Sequence, residues 1–176
     1  MAQFPALTGG QLVVLCGGTA LIAATHRLVV ALLERGPVHL LDAGVRLQPY
    51  LLTRLIRQHT VGVADWLARL HLQRAFTAHQ VAAALEALPT TAVPLVVLDL
   101  LASFYDDTLP LPQAQVLLQR SLTQCERLRQ GAPLVLTLTP PPHPARRPLL
   151  DAVCRRATAL FLDPEPTPLP TQLPLW

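Results

Sequence analysis

The stretch 12–35, LVVLCGGTALIAATHRLVVALLER, is the part of the sequence that decides the fold class. Its first five residues form a continuous apolar run that ends at Gly17-Gly18, as expected of a buried strand followed by a tight turn. Residues 19–35 then fit a helix, which Gly36-Pro37 ends. A strand, a glycine turn and a helix in this order predict one βα unit of a parallel sheet.

The same alternation of short apolar runs and longer helical runs continues along the chain. PLVVLDLL (94–101) is the clearest strand, because it lacks the polar alternation of a strand with one solvated face. Repeated units of this kind predict an α/β fold with three layers, in which helices cover both faces of a mostly parallel, doubly wound sheet. The predicted strands are 12–16, 38–42, 70–76, 94–101, 132–139 and the end of 151–163. The predicted helices are 19–35, 47–59, 77–88, 111–130 and the start of 151–163.

The length of 176 residues fits one domain, which we assign to residues 11–163. Residues 1–10 form an N-terminal segment and residues 164–176 a proline-rich tail. The tail contains PEPTPLP, which resembles a polyproline II ligand, so a docking role and a plain spacer both stay open. We expect no signal peptide, because the N-terminus lacks a charged region followed by an apolar run. We expect no membrane span, because Gly17-Gly18 and His26-Arg27 interrupt the apolar run 12–33.

The composition limits the chemistry open to the chain. Charged residues make up only 14%, which favours a surface partly covered by a partner. All 14 residues of the Lys+Arg count are arginine, so no lysine is available for a phosphate or a Schiff base. The net charge of +3 permits nucleic-acid contact without requiring it. Cys16, Cys125 and Cys154 lack metal-ligand spacing and indicate buried thiols in a reducing, cytoplasmic setting.

Three segments, in this order, resemble the RecA/RadA recombinase core. The strand and turn LVVLCGGTALIAATHRL (12–28) stands where that family has its Walker A loop, and LDAGVRLQPYLLTRLIR (41–57) is similar to the stretch after its second strand. RAFTAHQ (74–80) carries the five defining residues of the signature in which Arg-Ala-Phe/Tyr precedes His-Gln. PLVVLDLLASFYDD (94–107) then resembles the Walker B strand. The resemblance covers residues 11–163 and implies a RecA-like P-loop NTPase fold.

The resemblance also implies that the chemistry of ATP hydrolysis has been lost. In the motif GxxxxGK[ST], backbone amides cradle phosphates, the lysine reaches the β and γ phosphates, and the hydroxyl holds magnesium. Counted from Gly17, Ile22 replaces the second glycine, Ala23 the lysine and Ala24 the hydroxyl residue. The catalytic glutamate position falls on Gly44. We therefore expect no cofactor, with weak binding of ATP and magnesium left open.

Three sets of candidate residues follow from these alignments. The degenerate nucleotide site comprises Gly17, Gly18, Thr19 and Asp99, with Asp99 at the Walker B aspartate. The signature residues, expected to be structural, are Arg74, Ala75, Phe76, His79 and Gln80. The loop after the fifth strand contacts DNA in recombinases, so the DNA-binding candidates are Arg146, Arg147, Arg155 and Arg156, with a solvated basic surface as the alternative.

Other catalytic assignments are not favoured. His79 has no nucleophile or carboxylate partner nearby in sequence, and Ser103 lies outside a GxSxG elbow. Asp106-Asp107 in a loop is typical of solvated or capping carboxylates. The sequence thus predicts a non-catalytic RecA/RadA-like protein that acts in DNA recombination or repair by packing against an active ATPase or against itself. A weak NTPase and a DNA-binding module remain the alternatives.

Overall fold

A six-stranded, all-parallel sheet forms the centre of the protein, with strand order β3-β2-β4-β5-β1-β6. The computed structural model describes residues 7–18 and 20–162. The strands are β1 (Leu12–Cys16), β2 (Val38–Asp42), β3 (Leu70–Arg74), β4 (Leu95–Leu98), β5 (Leu134–Leu138) and β6 (Ala159–Leu162). The helices are α1 (Ala20–Arg35), α2 (Pro49–Ile56), α3 (Val63–Ala68), α4 (Ala78–Ala87), α5 (Leu111–Leu128) and α6 (Arg147–Cys154). Two short 3₁₀ turns span Ala102–Tyr105 and Pro144–Arg146.

Helices cover both faces of this sheet. From β1 the chain moves across the sheet towards β2 and β3, and after β3 it moves back through β4 and β5 to β6. Since βαβ crossovers are right-handed, this reversal puts α1–α3 on one face and α4–α6 on the other. Side chains of β1 alternate accordingly, with Val13 and Leu15 in one core cluster and Leu12 and Val14 in the other. The predicted three-layer α/β architecture is confirmed.

The boundaries of several elements differ from the predicted ones. The predicted strand 94–101 ends at Leu98, because Asp99 adopts φ 51° and turns the chain out of the sheet. The predicted strand 70–76 ends at Arg74, since Thr77 already caps the next helix. Two helical segments lie where none was predicted. One is α3, and the other is the first turn of α6, which begins inside the predicted loop 140–148. Pro148 is compatible with this turn, because proline is favoured at the first positions of a helix.

The two edges of the sheet carry exposed strands. Every residue of β3 except Leu70 is exposed, and Leu160, Phe161 and Leu162 of β6 are exposed as well. The N-terminal segment up to residue 6, Asp163 and the tail 164–176 lie outside the described residues, and so does the docking motif proposed for the tail. In the described part of the chain, no helix combines the length and apolar character needed to cross a membrane.

Candidate functional site

One end of the sheet brings together the carboxyl ends of four strands, β1, β5, β4 and β2. The chain leaves β1 and β2 towards the α1–α3 face, but leaves β4 and β5 towards the opposite face. Such reversals open a crevice at the carboxyl edge, where α/β proteins bind their ligands. The predicted nucleotide residues Gly17, Gly18 and Asp99 all lie at this edge. Thr19 lies outside the described residues.

Asp99 is buried at the centre of the crevice, and its carboxylate accepts three hydrogen bonds from the protein. Arg46 Nε donates to Oδ2 at 2.8 Å. Thr139 donates its backbone N–H to Oδ1 at 3.1 Å and its hydroxyl to Oδ2. The backbone N–H of Asp99 donates to the Thr137 hydroxyl at 2.8 Å, which fixes the left-handed turn. A carboxylate held this way has little acceptor capacity left for a magnesium-bound water.

A second buried carboxylate, Asp42, ends the neighbouring strand β2. It accepts the backbone N–H groups of Arg46 at 2.8 Å and Leu47 at 3.3 Å. Arg74 Nε lies 3.5 Å from its Oδ2 and supplies the countercharge. Asp42 therefore fixes the loop that follows it, and Arg74 pairs with Asp42 from the neighbouring strand β3.

Arg46 links the two carboxylates. Its backbone is bound to Asp42 and its guanidinium to Asp99, and Nη2 also lies 3.5 Å from the Thr139 hydroxyl. The side chain is 43% exposed, so the guanidinium reaches from the buried carboxylate to the mouth of the crevice. Arg46 was not among the residues predicted from the sequence. The available signal was an arginine four positions after a strand-terminal aspartate, in a chain that offers no lysine.

Gly44, the position aligned with the catalytic glutamate, has no room for a side chain. A Cβ built there would lie 2.5 Å from Asp99 Cβ and 3.1 Å from Ala102 Cβ. The loop therefore packs its backbone directly against the aspartate. Glutamate at this position would require the Asp99 turn or the 3₁₀ turn behind it to move.

The glycine turn after β1 borders a mostly apolar cavity of about 240 Å³. Gly17 donates its N–H to Leu138 O at 3.0 Å, so that amide serves the sheet and is not free for a phosphate. The Thr25 hydroxyl donates to Leu21 O at 2.8 Å within α1. His26 is buried, with Nδ1 2.7 Å from Ile22 O and Nε2 accepting the Gln48 N–H at 3.0 Å.

The RAFTAHQ segment builds the start of α4. Thr77 is the N-cap and accepts the Gln80 N–H at 3.2 Å, while Gln80 Oε1 accepts the Phe76 N–H at 2.8 Å. Ala75 is buried in the core. His79 Nε2 lies 3.4 Å from Gln113 Nε2 of α5. Four of the five signature residues thus have packing or hydrogen-bonding roles in the scaffold, whereas Phe76 is 63% exposed.

The four candidate DNA-binding arginines do not share one free surface. Arg146 is buried, and its Nη2 donates to Asp106 O at 2.9 Å and Leu109 O at 2.7 Å. The expectation that Arg146 faces solvent or DNA is therefore wrong, because its guanidinium holds the loop after β4. Arg147 pairs with Asp151 at 3.1 Å, Arg156 donates to Gln119 at 3.0 Å, and Arg155 is exposed.

Three other titratable groups near the crevice have shifted pKa values. Burial and the nearby Asp99 charge raise the pKa of Tyr105, whose hydroxyl donates to Thr139 O at 3.2 Å. Burial raises the pKa of the Cys16 thiol. Asp106 is exposed, and hydrogen bonds from Thr108 lower the pKa of its carboxyl. Within residues 7–18 and 20–162, no group of three or more His, Cys, Asp or Glu side chains could hold a metal ion.

The chain matches no protein-family model and no curated protein. Its function must therefore be argued from the crevice itself. The arrangement there is two buried carboxylates neutralised by the chain's own arginines, beside an apolar cavity and an exposed phenylalanine.

Proposed function

We propose that the chain is a non-catalytic RecA/RadA-like protein that acts as an accessory binding subunit in DNA recombination or repair, by packing against an active RecA-like ATPase. The observation that carries the non-catalytic part is the ion pair between Arg46 and the buried Asp99. An aspartate that supports magnesium must face the ion, whereas Asp99 accepts hydrogen bonds from Arg46 and Thr139. The internal guanidinium replaces the metal as its countercharge.

The kinship with recombinases is supported by the order of the matching segments along a confirmed α/β sheet. The glycine turn follows β1, the RAFTAHQ segment links β3 to α4, and Asp99 follows β4. The absent lysine and the close packing at Gly44 fit a protein that keeps the scaffold without hydrolysis.

The binding role is supported by exposed apolar side chains around the crevice. Val45 and Phe76 line one open cavity of about 560 Å³ together with Arg46 and Tyr105. Val45 is 62% exposed and adopts φ 54°, a conformation that is strained for a β-branched residue. Strain of this kind is common where a residue serves a function rather than the fold. A head-to-tail assembly of RecA-like cores would bury Val45 and Phe76 against a neighbouring subunit.

The test of packing is co-purification with the RecA/RadA-type ATPase encoded in the same genome, followed by titration of the purified pair. Val45→Gly removes the exposed side chain and relieves the positive φ, so stability should stay equal or rise. We expect this variant and Phe76→Ala each to weaken the complex at least about tenfold, which corresponds to about 1.4 kcal/mol. Val116→Ala, at an exposed valine on α5, is the matched control and should leave binding unchanged.

If the chain stayed monomeric in the presence of every such ATPase, the proposal would be wrong. If Val116→Ala weakened the complex as much as the other two variants, the interface would not lie at the crevice. The non-catalytic part is checked separately by calorimetry with ATP and magnesium, where no saturable heat at millimolar nucleotide is expected.

Weak nucleotide binding is the second candidate, and the position of Arg46 favours it. The Arg46 guanidinium lines the same cavity as Gly17 and Gly18, so it offers a cation in a site without lysine. This alternative predicts saturable ATP binding that Arg46→Ala abolishes. Binding that survives Arg46→Ala would show that the guanidinium is not the phosphate ligand.

A further inference from the structure

Two histidines lie side by side at the end of the sheet opposite to the crevice. His39 of β2 and His71 of β3 are register partners, and their ring centroids are 5.1 Å apart with an interplanar angle of 39°. Partners in a parallel ladder project to the same face. That face is the α4–α6 side, because Leu41, two residues after His39, belongs to the core cluster there. Both imidazoles therefore lie on the face covered by α4, and they line a cavity together with Leu88 at the end of that helix.

The pair lines a cavity of about 270 Å³ whose other polar side chain is Gln73. The remaining lining is leucine, from β2, β3 and β4 and from the end of α4. Among the described residues, the imidazole hydrogen bonds belong to His26 and His79. His39 and His71 thus keep their ring nitrogens free of protein partners in a cavity that has room for a ligand.

We propose that His39 and His71 form a binding site for a divalent transition-metal ion of the kind that prefers imidazole, with Zn²⁺ as the reference ion. Zinc binds histidine nitrogen at about 2.0–2.1 Å, so two imidazoles on one tetrahedral ion have ring centroids roughly 5 Å apart. The observed separation fits this geometry. Gln73 supplies a neutral oxygen nearby, and water completes the coordination.

The electrostatic environment of His39 and His71 favours binding of a metal ion over protonation of both imidazoles. Burial and the neighbouring His71 lower the pKa of His39, because two imidazolium ions repel each other at this distance. At neutral pH His39 therefore presents a neutral ring with a free lone pair, which is the form that binds metals. The other side chains around the cavity are Gln73 and leucines, so none of them brings a charge that competes for the ion.

The coordination number sets the expected strength. The described residues contain no group of three or more His, Cys, Asp or Glu side chains, so the site offers two strong ligands and open positions. Structural zinc sites are closed by four protein ligands, whereas open positions are typical of exchangeable ions. We expect one Zn²⁺ per chain, bound with an affinity in the micromolar range.

The test is a competition titration of the full chain with Zn²⁺ against a chromophoric chelator. His71→Gln removes one ligand at an exposed position, and we expect at least about tenfold weaker binding. His79→Gln, which changes an exposed histidine on α4, is the matched control and should bind as the parent does. Thermal unfolding of each variant without metal checks that the fold is preserved.

Cobalt substitution separates this site from the thiols. Co²⁺ bound to His39 and His71 gives visible bands without the near-ultraviolet charge-transfer band of a thiolate ligand. Equal Zn²⁺ affinity in the parent and in His71→Gln, or loss of binding in Cys154→Ser, would overturn the assignment.

Discussion

Gly44 is the residue at which the proposed non-catalytic role can be tested most directly. Its Cβ position lies 2.5 Å from Asp99 Cβ, so any side chain must displace a buried turn. We predict that Gly44→Glu gains no ATP hydrolysis and lowers the free energy of unfolding by about 1–3 kcal/mol, as overpacking does. Chemical denaturation and a phosphate-release assay measure the two effects.

Gly18→Ala is the matched control for this substitution, because a Cβ there meets no atom within 4 Å. It should change stability by less than about 0.5 kcal/mol. A Gly44→Glu variant that is as stable as the parent and hydrolyses ATP would contradict both the packing argument and the proposed function.

The residues in and near the crevice show which positions could be predicted from the sequence and which could not. Asp99 was expected inside the predicted strand 94–101, whereas β4 ends at Leu98 and Asp99 turns the chain out of the sheet. Arg46 was not singled out, because its role depends on Asp99, which is 53 positions away in the chain. Arg146 was assigned to the surface, although its guanidinium is buried against the carbonyls of another loop. Charge pattern alone does not reveal such long-range partners.

At the scale of elements, Arg146 fixes the turn before α6 to the loop after β4. Its side chain donates to Asp106 O and Leu109 O, so Arg146→Ala removes two partly buried hydrogen bonds from a charged donor. We predict a loss of about 1–3 kcal/mol in the free energy of unfolding. Arg147→Ala removes only an exposed pair with Asp151 and should cost less than about 1 kcal/mol. Equilibrium urea denaturation of the two variants makes the comparison.

This difference decides how DNA binding should be examined. An Arg146 variant would lose binding through instability, so the informative variant is Arg147→Ala with Arg155→Ala. Salt-sensitive binding that this double variant abolishes would support the DNA-binding alternative, whereas unchanged binding would remove this surface from consideration.

The anchoring role of Arg146 has its own contrary outcome. Equal destabilisation by Arg146→Ala and Arg147→Ala would contradict it.

The elements that were predicted correctly are those with a strong local signal. Continuous apolar runs indicated β1, β2, β4 and β5, and Thr77 indicated the start of α4. The helix α3 was missed because it is only six residues long, although Val63 and Trp66 are apolar at helical spacing and pack against the core. Strand order was not predictable, since it depends on which crossovers reverse direction.

For the whole molecule, the His39–His71 pair predicts a dependence of stability on pH. The pKa of His39 is lowered in the folded protein from 6.5, so below that pH the unfolded chain binds more protons than the folded one. Its contribution is complete above pH 6.5 and is lost as the pH falls through the lowered pKa. We predict that the denaturation midpoint falls between pH 7 and 5, and that it falls less in His39→Gln. Identical slopes in parent and variant would exclude this source.

The position of β1 within the sheet has a consequence for how the chain folds. Among the described strands, β1 comes first along the chain, yet its partners β5 and β6 come last. Leu12 pairs with Leu134, so most of the chain must leave the ribosome before this strand finds a neighbour. Contacts so distant in sequence slow folding and prolong the exposure of an apolar strand. The newly made chain is therefore expected to depend on chaperones until β5 emerges, after which the sheet closes around β1.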